Sequence, residues 1–479
     1  MLFNSLTFLI FFPIVIVLYF ALPHRWRWML LLGASYYFYM SWRPEYALLL
    51  LTSTLIDYYA ALQMDKCARQ SQKRKFLALS LIGNLGLLIA FKYFNFMSEN
   101  FNLLFTAVNI HYHFPELKVL LPVGISFYTF QTIGYSIDVY RGKTTAEKHF
   151  GIFALYVSFF PQLVAGPIER SVNLLPQFRV NQEFSYDKMT SGLKLMLWGF
   201  FKKVVVADRL DFFVTEVFND PVKFHGLPII LASMIFPFQL YCDFSGYSDI
   251  AIGSARTMGY KLMKNFDRPY MARSFSELWN RWHISLSSWL RDYLYITLGG
   301  NRKGKIRQYF NVIVTMLLGG LWHGASWNFI GWGALMAFYL ALESATKNLR
   351  HKWTHRIKLD RLPLVHKYFD IILMNILVGF NALFFRVNTS ADIPVMIKNA
   401  LHFGGLNRIY AQLQELQFLS YLILLFALLT FEKIHDRYNI NRLISRQHIS
   451  LRWTFYLLAI ISILFFGIFN QEQFIYFQF

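Results

Sequence analysis

The sequence predicts an all-α, polytopic membrane protein built as a single membrane domain over residues 1–479. Composition is the first reason. Hydrophobic residues make up 56% of the chain and charged residues only 15%, against roughly 25% charged residues in soluble domains. Apolar blocks are the second: they recur along almost the whole chain, and about 20 residues suffice to cross the hydrocarbon core. The third is the placement of charge, because Lys and Arg cluster in short segments between the blocks, the pattern of cytoplasmic loops. The balance of 47 basic against 27 acidic residues gives a formal charge of +20. In a soluble protein that excess would suggest binding to phosphate backbones. Here it reports topology, and no nucleic-acid partner is expected.

The apolar blocks cover residues 7–22, 29–40, 46–62, 76–96, 119–140, 150–164, 193–206, 227–252, 310–321, 327–342, 371–385, 418–431 and 453–469. Several are too short to cross alone. The expected architecture is therefore about eleven transmembrane helices plus re-entrant and interfacial pieces. The first block has neither the basic flank nor the small-residue cleavage site of a signal peptide, and reads as a retained span. Cys67 and Cys242 lie far apart and suggest no disulfide framework. His111 and His113 lack a nearby third ligand, read as loop residues, and no metal is expected.

Strongly basic loops occur at Lys73-Arg74-Lys75, at Arg302-Lys303-Gly304-Lys305 with Arg307, and at residues 347–361 and 433–452. With all of them cytoplasmic, the blocks between neighbouring loops cross an even number of times. The last block then exits outward and puts residues 470–479 on the far side as an extracytoplasmic tail. The same parity makes 310–342 an out-and-back pair, broken at Trp322-His323-Gly324-Ala325. Its first arm has about a dozen apolar residues, roughly 20 Å of rise. His323 is thus expected at membrane depth, where a broken helix lines a cavity. Between these parts, residues 267–308 interleave charges with aromatics and read as an interfacial or re-entrant segment. Trp279, Trp282, Leu286 and Trp289 recur at helical spacing, which predicts one apolar stripe on one short helix.

An ionisable side chain inside a membrane is costly and marks a functional site by default. His323 is the leading candidate, since an imidazole exchanges protons near neutral pH and Gly319, Gly320 and Gly324 allow close approach. On spacing alone His283 reads as packing. Asp243 and Asp249 fall on different helical faces, which argues against a paired-carboxylate device and for structural hydrogen bonding, with cavity lining as the alternative. No phosphate-cradling loop of the Walker type is present. Leu298-Gly299-Gly300-Asn301-Arg302 reads as a turn whose Asn301 and Arg302 could meet a cytosolic anionic ligand such as a nucleotide phosphate.

Four segments together resemble the membrane-bound O-acyltransferase family, in its bacterial alginate O-acetyltransferase branch. They are Pro161-Gln162-Leu163-Val164-Ala165-Gly166-Pro167; residues 241–252; Arg281-Trp282-His283-Ile284-Ser285-Leu286 with Arg291-Asp292-Tyr293-Leu294-Tyr295 and Leu298-Gly299-Gly300-Asn301-Arg302; and Gly320-Leu321-Trp322-His323-Gly324-Ala325. The resemblance implies a ring of tilted helices around a central tunnel in a bacterial inner membrane. It implies that His323 is the catalytic histidine and His283 its second histidine. The implied reaction uses acetyl-CoA from the cytosol to O-acetylate an extracytoplasmic polysaccharide, with His323 as general base. Moving only the acyl group across the membrane spares a charged nucleotide the cost of hydrocarbon.

The end of the chain, Phe474-Ile475-Tyr476-Phe477-Gln478-Phe479, resembles the F-x-Y-x-x-F motif associated with acyl relay in teichoic-acid D-alanylation. It makes Tyr476 a candidate acyl acceptor, handing the group to an extracytoplasmic transferase with an SGNH-like Ser-His-Asp site. An aromatic belt residue at the interface is the equally weighted alternative. Other expected partners are cell-surface polysaccharide biosynthesis proteins and membrane lipids. A transporter or flippase is the competing class, but paired broken helices are its usual mark and no second copy of the 320–325 segment exists.

Overall fold

Ser5 starts the first helix by accepting the Phe8 N–H at 3.2 Å, as N-cap serines do. The computed structural model describes residues 1–110, 112–117, 121–164, 166–403, 412–414, 418–438 and 440–469. Its helices are α1 (Leu6–Ala21), α2 (His24–Met40), α3 (Tyr46–Lys66), α4 (Gln70–Leu88), α5 (Phe94–Ala107), α6 (Ile125–Tyr140), α7 (Phe150–Ser158), α8 (Phe160–Leu163), α9 (Ser171–Arg179), α10 (Tyr186–Phe200) and α11 (Asp208–Asn219). There follow α12 (Leu227–Thr257), α13 (Phe275–Arg281), α14 (Ile284–Trp289), α15 (Lys305–His323), α16 (Trp327–Ala345), α17 (Lys347–Arg356), α18 (Pro363–Arg386), α19 (Asp392–Ala400), α20 (Phe418–Tyr438), α21 (Ile440–Ser445) and α22 (Ile449–Phe466). Among the described residues there is no strand.

The chain is a multi-pass membrane protein. Among the described residues, five stretches are long and apolar enough to cross: Tyr46–Lys66, Gln70–Ala107, Leu227–Thr257, Pro363–Arg386 and Ile449–Phe466; the pair α16 and α17, bent by 60°, makes a sixth if it is one span. Several of the other apolar blocks form shorter or interrupted helices. Block 150–164, for instance, splits into α7 and α8 at Phe159. Pro161 cannot donate an N–H to prolong α7, but fits the first turn of α8.

Among the described residues, three segments widen to π-helix: Ile89–Tyr93, Phe201–Ala207 and Leu290–Tyr295. The first two carry Lys92 and the pair Lys202-Lys203. Each segment shifts the helical register locally, a device common at functional sites.

The longest helix, α12, has 31 residues, about 46 Å at 1.5 Å per residue. Glycines set its contact with α10. A Cβ on Gly199 would lie 2.6 Å from the Gly246 carbonyl oxygen, and one on Gly246 would lie 2.8 Å from that of Gly199; Gly192 and Gly253 repeat the arrangement at 2.7 and 2.6 Å. The backbones touch because no side chain separates them. Gly246→Val is therefore expected to cost about 1–3 kcal/mol by forcing the helices apart. Gly86→Ala, where a Cβ meets open space, should leave melting in detergent unchanged, and equal losses in the two variants would refute the contact.

A second tie is polar. Asp57 on α3 is fully buried and accepts hydrogen bonds from Ser80, from Asn84 Nδ2 at 2.7 Å and from Ser136 Oγ at 2.7 Å. These bonds join α3, α4 and α6 where an unsatisfied carboxylate would be costly.

Candidate active site

Helices α15 and α16 form a tight hairpin, in which a Cβ on Gly320 would overlap the Phe329 carbonyl and one on Gly333 the Met316 carbonyl. The break between the two falls at residues 324–326, as parity predicts. The first arm is longer than the apolar count implied, because α15 begins at Lys305, before the apolar block. Its 19 residues span about 28 Å. His323 is its last residue and is 3% exposed. Its imidazole packs edge-on against Trp322, Trp332 and Phe385, with centroids 5.0, 5.1 and 5.3 Å away.

The tryptophan stripe does not lie on one helix, which corrects the sequence expectation. α13 ends at Arg281 and α14 begins at Ile284, with His283 between them in the left-handed conformation, φ 43° and ψ 53°. The cause is Asn265. Its backbone carbonyl accepts the Ile284 N–H at 2.8 Å. Its side-chain Oδ1 accepts the Ser285 N–H at 3.3 Å and the Ser285 hydroxyl at 2.9 Å, and lies 3.2 Å from His283 Nδ1. These bonds replace those of a continuous helix and turn the histidine into the interior, where it is 0% exposed.

The same contacts assign the imidazole tautomer. A backbone N–H only donates, so the atom facing Ser285 is the Asn265 oxygen, and His283 Nδ1 must carry the proton that meets it. The lone pair is then on Nε2, which has no hydrogen-bond partner among the described residues. Nε2 is thus a buried acceptor, while Nδ1 is bound to Asn265. Asn265→Leu removes an orienting hydrogen bond of about 1 kcal/mol or more, an expected loss of roughly fivefold or more in turnover. A single-turnover assay on the folded variant checks it, and full turnover would refute the orienting role.

His283 and His323 both pack against Trp322, at 5.8 and 5.0 Å between centroids. The structure thus gathers the two candidate histidines around one indole although 40 residues of chain separate them.

Two small cavities reach His323, and a larger chamber borders the next residue, Gly324. A polar chamber of about 770 Å³ is bordered by Lys92, Lys203, Asp243, Gly324, Asn328 and Arg386. A pocket of about 30 Å³, bordered by His323, Trp322 and Ser126, shares Lys92 and Leu121 with that chamber. An apolar cavity of about 50 Å³ also reaches His323, between Trp279, Trp282, Trp332, Met336 and Val378. α16 and α18 run antiparallel, with Phe329 packed on Phe385 at 4.9 Å. The chamber therefore lies at the end opposite the basic residues of 301–307 and 347–361, and the apolar cavity leads from His323 toward that basic end.

Asp243 and Asp249 each hold a lysine. Lys203 Nζ lies 2.7 Å from both Asp208 and Asp243, and Lys202 Nζ lies 2.7 Å from Asp249. Asp243 also borders the chamber, while Asp249 borders a lateral cavity of about 750 Å³. Both readings of these carboxylates hold at once. The lysines and Asn265 were missed in the sequence, yet Lys92, Lys202 and Lys203 sit inside the apolar blocks 76–96 and 193–206, where any charge is a signal.

Asn301 and Arg302 occupy an exposed turn, with the Asn311 side chain donating to the Gly300 carbonyl at 2.8 Å. The structure does not bring them to the histidines. Tyr476 lies outside the described residues, as does His111. The last described segment runs beside the π-helix of Lys203, where Ile468 N–H donates to the Val204 carbonyl at 3.0 Å.

The sequence profile of the membrane-bound O-acyltransferase family matches residues 149–384. A probable alginate O-acetylase of Azotobacter vinelandii is 43% identical over 351 residues, covering 72% of this chain and 69% of the relative. The peptidoglycan O-acetyltransferase of Helicobacter pylori is 37% identical over 389 residues, covering 74% and 72%. The teichoic acid D-alanyltransferase of Streptococcus thermophilus is 30% identical over 236 residues, covering 47% and 57%. With the broken helix at Trp322-His323-Gly324 inside the matched region and this identity over most of its length, the chain belongs to the membrane-bound O-acyltransferase family.

Proposed function

We propose that this O-acyltransferase takes an acetyl group from acetyl-CoA on the cytosolic side of a bacterial inner membrane and delivers it outside for O-acetylation of a cell-surface polysaccharide. One observation carries the reading: at the end of α15, Gly324 borders a large polar chamber while His323 borders a narrow apolar cavity leading toward the basic end. The excess of Lys and Arg at that end marks it as cytoplasmic, so the chamber opens outward. The apolar cavity, about 50 Å³, has room for roughly four water-sized groups at 10–15 Å³ each, which suits a short acyl group. The relatives named for alginate and peptidoglycan O-acetylation support a glycan as the final acceptor.

In this mechanism an acceptor hydroxyl gives its proton to the His323 imidazole as its oxygen attacks the thioester carbonyl. The new C–O bond forms, the C–S bond breaks, and the proton passes on to the departing thiolate, which leaves as free CoA. His283 Nε2, a lone pair beside the same indole, holds a polar group of donor or acceptor in line. Tyr476 supplies the first acceptor hydroxyl and hands the acetyl group to an extracytoplasmic Ser-His-Asp transferase. The approach of residue 468 to the π-helix at the chamber wall supports that role. Asn301 and Arg302 meet the nucleotide phosphates at the cytosolic face.

Radiolabelled acetyl-CoA tests the relay. The purified wild type should retain label and release CoA, and Tyr476→Phe should lose the label. Retention of label in Tyr476→Phe would place the acceptor elsewhere.

A further inference from the structure

The last four carbonyls of a helix must find partners outside its own ladder, and at the His323 end of α15 each partner is identified. The Gly320 carbonyl accepts the Gly324 N–H at 3.4 Å. The Leu321 carbonyl accepts the Tyr93 hydroxyl at 2.7 Å. The Trp322 and His323 carbonyls both accept from the Lys92 ammonium, at 2.7 and 3.1 Å. The same ammonium lies 3.3 Å from Ser126 Oγ, and Lys92 borders both the chamber and the small pocket at His323.

Capping alone does not account for a lysine here. Tyr93, the next residue, caps its carbonyl with a neutral hydroxyl, whereas an ammonium inside the apolar stretch Gln70–Ala107 carries the cost of a charge at membrane depth. Among the described residues no carboxylate lies within ion-pair distance of Lys92, in contrast to the doubly paired Lys203. Its charge faces the negative end of the α15 dipole instead, at the wall shared by the chamber and the small pocket at His323.

We propose that Lys92 is a positioning residue: through the Trp322 and His323 carbonyls it locks the last turn of α15, and so holds the His323 imidazole where the small pocket and the apolar cavity both border it. The inference rests on the acyl-transfer reading of His323. The π-helix at Ile89–Tyr93 is the device that lets consecutive side chains, Lys92 and Tyr93, both reach one helix end. A slipped turn would move the imidazole without unfolding the chain.

The test compares wild type, Lys92→Met, Lys92→Arg and His323→Ala, each purified in detergent, by CoA release per folded molecule. Lys92→Met should lose about 10²-fold in kcat with KM for acetyl-CoA within about twofold, the signature of a misplaced catalytic group. Lys92→Arg, which keeps a charge and two donors, should stay within about tenfold of wild type. Where Lys92→Met does not fold, Lys92→Gln takes its place with the same expectation. Wild-type kcat in the uncharged variant, beside an inactive His323→Ala, would overturn the role of Lys92 alone, as would equal losses in the Arg and uncharged variants. Full activity in His323→Ala would overturn the underlying reading and this inference with it.

Discussion

Replacing His323 by alanine is expected to lower acyl transfer by about 10²–10⁴-fold, the usual contribution of a positioned general base, while the protein remains folded. The fold should survive because the end of α15 is held by backbone carbonyls bonded to Lys92 and Tyr93. The ring leaves behind a gap walled by Trp322, Trp332 and Phe385, beside a cavity that already exists. CoA release measured on monodisperse protein separates the two effects. Activity within a few-fold of wild type would remove His323 from the chemistry, and a loss matched by a fall in folded protein would assign it to structure.

The second large effect is on stability. Lys203→Met should destabilise the protein by about 3–5 kcal/mol, the cost of breaking a buried ion pair from one side. Lys203 is 2% exposed and lies 2.7 Å from both Asp208 and Asp243, on α11 and α12. Loss of the cation leaves both carboxylates without it in a region of low dielectric. Thermal melting in detergent should show the fall, and the triple variant Lys203→Met, Asp208→Asn, Asp243→Asn should recover most of it, since deleting all the charges removes the penalty. A single Lys203→Met variant that melts like wild type would show that water in the chamber already screens the triad.

The ion triad also shows where sequence reading stops. Asp243 drew notice as a carboxylate in an apolar block, but its partner lies 40 residues earlier, and the π-helix at Phe201–Ala207 sets the register that brings Lys203 to it. Hydropathy averaged over block 193–206 hides two adjacent lysines among apolar neighbours. Asn265 is a similar case, an ordinary loop residue in sequence that breaks a helix and orients His283 in the fold. The stripe of Trp279, Trp282, Leu286 and Trp289 does have helical spacing, yet local periodicity has no term for the Asn265 carbonyl that takes the Ile284 N–H.

The multi-pass membrane character, the family and the break at His323 were all determined by the sequence itself, because composition, basic-loop parity and short motifs are local properties that survive without coordinates. Tertiary structure alone decided that His283 and His323 share one indole, that Lys92 closes the end of α15, and that a polar chamber borders Gly324 while an apolar cavity borders His323. Those facts depend on side chains distant in sequence reaching a common point, and a linear pattern carries the cost of burying a charge but not the identity of the group that offsets it.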